Sequence, residues 1–181
     1  GRPVFHAEVN IVDKNGRPVK PGDVGEIVVR GSIMMKEYWQ DPVGTEETIR
    51  NGMLYTGDLA RMDEEGYYFL VDRARDMYIT GGENVYPAEL ENVLYHHPAV
   101  AEVAVIGVPH PKWQEVGKAI VELKSGAFLT IEELQSFLKE RLGKFKIPKY
   151  LAVTESLPRT PASEKIQKFI LKEQHGKADN A

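Results

Sequence analysis

The sequence predicts an α+β protein built as a small antiparallel β unit followed by a compact mixed α/β lobe. Three observations predict it. Up to about residue 71 the apolar residues recur mostly at period two and are punctuated by glycine turns. Beyond Asp76 strongly apolar strands alternate with helix-period segments. The two regimes meet at a charged connector, Asp72-Arg73-Ala74-Arg75-Asp76. The expected division is residues 1–72 for the β unit, 73–76 for the connector and 77–181 for the second domain.

In the β unit, Val4 to Val12 alternates, and Asp13-Lys14-Asn15-Gly16 carries an Asn-Gly hairpin signal. Gly25-Glu26-Ile27-Val28-Val29-Arg30 is a second strand bounded by glycines. Asp41-Pro42 reads as an N-cap followed by proline at the first helical position, so a short helix is expected from Pro42 to Ile49. Leu59 to Met62 and Tyr67 to Val71, joined through Glu64-Glu65-Gly66, form a hairpin that ends at the connector.

In the second part, Pro87 to His96 places Leu90, Val93 and Leu94 on one helical face and is stopped by His97-Pro98. Val100 to Val108 and Gly117 to Leu123 are apolar strands. Thr130-Ile131-Glu132-Glu133 is a capping box, and Ile131, Leu134, Phe137, Leu138 and Leu142 share the face of the helix it opens. The expected order is βαββαβ with a terminal helix, and fraying is expected after Gln174.

Composition narrows the functional classes. With 42% hydrophobic and 28% charged residues the chain is an ordinary globular protein rather than a disordered one. The absence of cysteine excludes disulfides and thiolate chemistry, and makes the cytoplasm the expected compartment. No apolar run approaches the roughly 20 residues of a spanning helix. A net charge of −4 exerts no general pull toward nucleic acid, which is not expected as a partner. The five histidines show no metal-ligand spacing, so no metal site is expected. The pair His96-His97 reads as a helix terminus, where imidazolium complements the dipole. Because Gly1-Arg2-Pro3-Val4 enters a strand pattern with no lead-in, the chain is expected to be part of a longer protein.

The most informative run is Tyr78-Ile79-Thr80-Gly81-Gly82-Glu83-Asn84-Val85-Tyr86-Pro87. Paired glycines let another backbone or a thin ligand approach closely, because they lack Cβ and tolerate positive φ. A tight hairpin turn between Ile79 and Val85 explains the same pair. Upstream, Thr56-Gly57-Asp58 reads either as a plain β-turn or as a carboxylate placed to accept two ribose hydroxyls. Arg73 follows at a strand end, where its guanidinium could meet the same sugar or its phosphate.

Together with Gly31, Tyr38-Trp39, Leu157-Pro158-Arg159-Thr160 and Lys165-Ile166, these motifs resemble the adenylate-forming superfamily, and within it the AMP-forming acyl-CoA synthetases. That resemblance implies ATP-dependent activation of a carboxylic acid, taken as a fatty acid, to an acyl-adenylate, and transfer of the acyl group to coenzyme A. It implies that residues 1–72 end a large adenylating domain, that 73–76 is a hinge, and that 77–181 is a domain that rotates between the two half-reactions. Asp58 is implied as the ribose-hydroxyl acceptor and Arg73 as its basic companion. Arg75 falls at the hinge position, usually Asp or Lys. Lys165 is implied as the catalytic lysine, neutralising charge between the carboxylate and the α-phosphate. The loop Thr160-Pro161-Ala162-Ser163-Glu164-Lys165 departs from the family pattern by one added residue and by Glu164 in place of glycine, which leaves Glu164 either pairing with Lys165 or facing water. Gly81 and Gly82 are implied to line the pantetheine tunnel, with Trp113 and Lys146 toward the nucleotide end of coenzyme A.

The family's phosphate-cradling loop and its adenine- and magnesium-gripping segment are absent from the sequence, so Mg²⁺ would be held by residues outside it. The missing N-terminal part of the same protein is then an expected partner, and the isolated chain is expected to be inactive. Two other functions stay open: an adenylation domain acting on a carrier-protein thiol, and a non-catalytic interaction module.

Overall fold

The computed structural model describes residues 1–177 and divides into two compact units, one ending at Arg75 and the other starting at Asp76. The α+β expectation holds in both.

The first unit is a five-stranded antiparallel sheet. Its strands are β1 (Ala7–Val12), β2 (Gly25–Gly31), β3 (Ile49–Arg50), β4 (Met53–Met62) and β5 (Tyr68–Arg73), in the order β1-β2-β4-β3, with β5 also paired to β4. The strand predicted from Val4 starts later, at Ala7, because residues 4–6 form a turn in which His6 takes a φ of 66°. The Asn-Gly signal does make a turn, tied by Gly16 N–H to the Asp13 carbonyl at 2.9 Å, and it closes on an isolated bridge between Val12 and Pro18. Helix α1 (Pro42–Thr48) begins as expected, with the Asp41 carboxylate accepting from Gly44 N–H at 2.9 Å. The register of β4 and β5 sets Asp58 directly opposite Arg73.

The second unit contains β6 (Tyr78–Thr80), β7 (Glu83–Val85), α2 (Pro87–Leu94), β8 (Val100–His110), β9 (Gln114–Leu123), α3 (Ile131–Lys139), a 3₁₀ turn at Lys144–Lys146, β10 (Tyr150–Thr154) and α4 (Lys168–His175). The element added to the expected order is β7, which pairs with β6 as a hairpin. The hairpin's two-residue turn is Gly81-Gly82, both at positive φ (59° and 90°), the geometry that matches strand twist in a tight hairpin. The sheet runs β10-β9-β6-β7 with β8 on β9, and β10 is parallel to β9.

Alternation along β8 and β9 feeds two cores. Val103, Val105, Ala119 and Val121 face Leu90 and Leu94 of α2 and Leu134 and Leu138 of α3. Ala104, Ile106, Val108, Val116 and Ile120 pack with Leu157 and with Leu171 of α4. Thr130 caps α3 with both bonds of the capping box in place. Leu142 lies beyond the last helical residue, yet its N–H still reaches the Leu138 carbonyl at 2.9 Å and it packs on the first core. Helix α4 continues through His175, and the part of the expected fraying that concerns residues 178–181 lies outside the described residues.

Of the histidine pair, His96 closes the helix as expected and His97 does not. His96 Nδ1 bonds the Asn92 carbonyl at 2.8 Å in the last turn of α2. His97 instead sits edge-on to Phe137, with ring centroids 4.7 Å apart, and its Nδ1 accepts from Ala99 N–H. Burial, followed by the Arg141 and Lys124 charges and against the pull of Glu133, lowers its pKa from the ordinary 6.5, so it favours the neutral ring rather than an imidazolium.

Two outcomes follow from this packing. Leu138→Ala, at a fully buried site, should cost about 2–5 kcal/mol, and Thr130→Ala about 1 kcal/mol, read by denaturant unfolding. Because the folded pKa of His97 lies below its unfolded value, its contribution is full above pH 6.5 and is lost as pH falls through the folded value. Melting temperature should therefore fall with acidification below pH 6.5 more steeply than in His97→Gln.

Candidate functional site

The chemistry-bearing residues form two groups, one in each unit. In the first unit, Gly57 (φ 74°) breaks the regular course of β4, and three bonds hold the turn around it. The Glu26 carboxylate accepts from Gly57 N–H at 2.9 Å, the Thr56 hydroxyl donates to the Ile27 carbonyl at 2.9 Å, and Asp58 N–H donates to the Thr56 hydroxyl oxygen at 3.1 Å. Ala74 N–H donates to the Gly57 carbonyl at 2.8 Å, which ties the connector to the turn. The result is a cleft of about 370 Å³ lined by Thr56, Gly57, Asp58, Arg73, Ala74 and Arg75.

Across this cleft Arg73 Nε lies 3.6 Å from Asp58 Oδ1, with both side chains more than two-fifths exposed. Such a pair is weak. It leaves most of the carboxylate's lone pairs for a diol and keeps a cation beside them. The structure thus brings together Asp58, Arg73 and Arg75, and Arg75 is the last residue of the first unit.

In the second unit a cleft of about 310 Å³ is lined by Thr80, Gly81, Glu83, Trp113, Val116, Lys144, Phe145, Ile147 and Lys149. Gly81 N–H donates to the Trp113 carbonyl at 2.9 Å, and a Cβ added at Gly81 would stand 3.1 Å from the indole. Gly81 therefore makes a wall of this cleft. Gly82 is not part of the lining, and a Cβ there would meet open space, so only one of the two glycines works by close approach.

Lys146 also departs from expectation. Its ammonium binds both carboxylate oxygens of Glu89 at 2.7 Å, which commits it to α2, and the cleft is edged by Lys144 and Lys149 instead. Lys165 is exposed and lies on the loop before α4, not at a helix start. Its carbonyl accepts from Thr160 N–H at 2.9 Å. Glu164 sits at φ 55°, the left-handed conformation that glycine takes without cost.

Sequence reasoning missed the packing role of Tyr78 behind the second cleft. Gly107 and Gly117 lie opposite each other in the β8–β9 register, and a Cβ on either would run into the Tyr78 side chain. The ring fills that slot, and burial, then the Glu115 charge, raises the pKa of its hydroxyl. The signal available was the glycine in each apolar strand. Glu26 was missed because a strand glutamate pointing at a turn amide has no local sequence mark. Among the described residues there is no group of three or more His, Cys, Asp or Glu side chains that could hold a metal ion. No helix among them is long and apolar enough to cross a membrane.

Residues 89–164 match the AMP-binding enzyme C-terminal domain, and residues 1–39 match AMP-binding enzyme. The chain is 47% identical to a feruloyl-CoA synthase of Amycolatopsis sp, over 97% of this chain and 36% of that protein. It is 45% identical to a medium/long-chain-fatty-acid–CoA ligase of Mycobacterium tuberculosis, over 94% of this chain and 31% of that protein. Among solved structures, o-succinylbenzoate CoA synthetase from Bacillus subtilis in complex with its acyl-adenylate intermediate matches with a TM-score of 0.87 and 42% identity, over 95% of this chain and 35% of that one. The chain belongs to the AMP-binding enzymes of the adenylate-forming superfamily and corresponds to a C-terminal portion of them. It spans about a third of the length of the curated relatives it matches.

The two glycines can be told apart experimentally. Gly81→Ala and Gly82→Ala should each lose about 1–2 kcal/mol through left-handed strain, but only Gly81→Ala should shift the fluorescence of Trp113, measured in a Trp39→Phe background.

Proposed function

We propose that this chain is the C-terminal part of an ATP-dependent acyl-CoA ligase, which joins a carboxylic acid to coenzyme A through an acyl-adenylate. The observation that carries it is the cleft that closes on the unit boundary, with Asp58 opposite Arg73 and Arg75 on the same rim. Asp58 accepts the ribose hydroxyls, each charge-assisted bond contributing about 1.5–3 kcal/mol, while Arg73 balances its charge. Arg75 is the pivot about which the second unit turns. A hinge needs backbone freedom at that position rather than one particular charge, so arginine serves.

In the first half-reaction Lys165 places its ammonium between the acid's carboxylate oxygen and the α-phosphate. Charge accumulates there as the C–O–P linkage forms and pyrophosphate leaves, and a preorganised cation stabilises it. In the second, the coenzyme A thiol attacks the acyl carbonyl and AMP departs. Pantetheine, thin and amide-bearing, passes the wall at Gly81, with Trp113 available for stacking and Lys144 and Lys149 for phosphate. These two replace Lys146, whose charge Glu89 already matches. ATP and coenzyme A are substrates here. Mg²⁺ accompanies ATP through residues outside this chain, and no step is assigned to it.

The acid is a small-molecule carboxylic acid, for which a fatty acid is the first candidate. Relatives named for feruloyl, fatty and 2-succinylbenzoate substrates make those three the first panel, and the absence of cysteine from these 181 residues suits the cytoplasm.

The full-length protein should release AMP and form thioester only when ATP, one acid of the panel and free coenzyme A are all present. Thioester formed on a carrier protein but not on coenzyme A would move the protein to the carrier-loading class. The 181-residue chain alone should show no ATP–pyrophosphate exchange. In the full-length protein Arg75→Pro, by fixing φ, should slow thioester formation while sparing adenylate formation. An unchanged thioester rate would remove Arg75 from the hinge.

A further inference from the structure

The loop that presents Lys165 is closed on itself, is followed by Ile166 packed on the second core, and is tied to β8 by the guanidinium of Arg159. Its internal closure comes from Thr160, whose N–H donates to the Lys165 carbonyl at 2.9 Å, and from Glu164 N–H, which donates to the Thr160 carbonyl at 2.9 Å. Arg159 and Ile166 complete it as an isolated antiparallel bridge. None of these bonds ties the side of the loop that carries Lys165 to the body of the unit.

Arg159 does. Its Nη1 donates to the Glu164 carbonyl at 2.7 Å, and its Nη2 lies 2.8 Å from Glu102 Oε2. Glu102 stands on β8, and the same carboxylate oxygen accepts from the Tyr95 hydroxyl at 3.0 Å, so it is itself fixed between α2 and the sheet. One guanidinium thus spans from a strand of the central ladder to the carbonyl immediately before Lys165. A planar fork with several donors can hold both acceptors at once, whereas an ammonium reaches one at a time with any precision. About two-thirds of the Arg159 and Glu102 side chains is covered, so the pair escapes part of the screening that makes surface pairs weak.

The backbone gives the second, independent observation. Glu164 is held at φ 55°, where a non-glycine residue is disfavoured, and the carbonyl gripped by Arg159 belongs to that residue. The grip offsets the cost of the left-handed turn. It also explains how this loop, longer by one residue and lacking the glycine of its family, keeps one shape.

We propose that Arg159, braced by Glu102 and Tyr95, is a positioning residue that sets where the Lys165 ammonium stands. This rests on Lys165 acting in adenylate formation. Arg159 need touch no substrate. It acts through the Glu164 peptide, one bond from the catalytic residue, and Glu102 acts through Arg159.

Two measurements test it. In the 181-residue chain, amide hydrogen exchange at Thr160 and Glu164 should accelerate about 10-fold or more in Arg159→Ala and in Glu102→Ala, as expected for a lost charge-assisted bond. Arg159→Lys should fall between, and the Val121 amide in β9 should not change in any of them. Unchanged exchange at Thr160 and Glu164, or equal acceleration at Val121, overturns the clamp. In the full-length enzyme, Arg159→Ala should lower kcat for adenylate formation about 10-fold with KM for ATP unchanged, and leave transfer from supplied acyl-adenylate intact. Arg159→Lys should recover part of the loss. Equal loss in both half-reactions overturns the positioning role. An unsubstituted enzyme silent with every acid of the panel overturns the ligase function and with it the purpose of the clamp, while the exchange data still decide whether the clamp exists.

Discussion

The second unit depends on the antiparallel ladder between β8 and β9, which is covered on both faces. Its register runs from Val100 opposite Leu123 to His110 opposite Gln114. Successive side chains point to opposite faces, so Val103 and Val105 enter one core while Ala104, Ile106 and Val108 enter the other. A slip of one residue would exchange the two sets and put large side chains where small ones fit. Each part of the site within the second unit hangs from this ladder. Trp113 sits in the turn between its strands, Lys149 N–H bonds the Gly117 carbonyl at 2.8 Å, and Glu102 reaches the loop of Lys165 through Arg159.

The same ladder explains why Tyr78 begins the glycine-rich run. With Gly107 and Gly117 paired, the ladder has a local slot without side chains, and the Tyr78 ring lies in it. That packing fixes β6 against β9 just before the Gly81-Gly82 turn, and Gly81 then bonds Trp113. The turn is therefore held at one end by a buried ring and at the other by a backbone hydrogen bond. A cleft wall without a side chain keeps its shape because its supports are not in the wall itself.

Local rules made much of this legible. The capping box at Thr130, the proline-started helices, the Gly81-Gly82 turn and the two apolar strands each follow from short-range chemistry, and each appears where the sequence placed it. The joint between regimes also lies at the charged connector, between Arg75 and Asp76. What escaped were partnerships between residues far apart in the chain. The resemblance placed Lys146 toward the nucleotide end of coenzyme A, yet Glu89, which no local pattern links to it, pairs with its ammonium. His97 looked like a charged helix terminus until Phe137 packed against it. Glu26 and Glu102 look like any strand glutamates, and only the folded register shows that one holds the Gly57 turn and the other braces Arg159.

Under the proposed function, the lysine at the end of this clamped loop serves one half-reaction and not the other. The measurement that tests it most directly is single-turnover kinetics of the full-length enzyme carrying Lys165→Ala, with adenylate formation and thioester formation from supplied acyl-adenylate followed separately. A loss on the order of 10²–10³ in the first, with the second within a few-fold of the unsubstituted enzyme, is the expected result. Equal loss in both, or none in the first, would contradict the account.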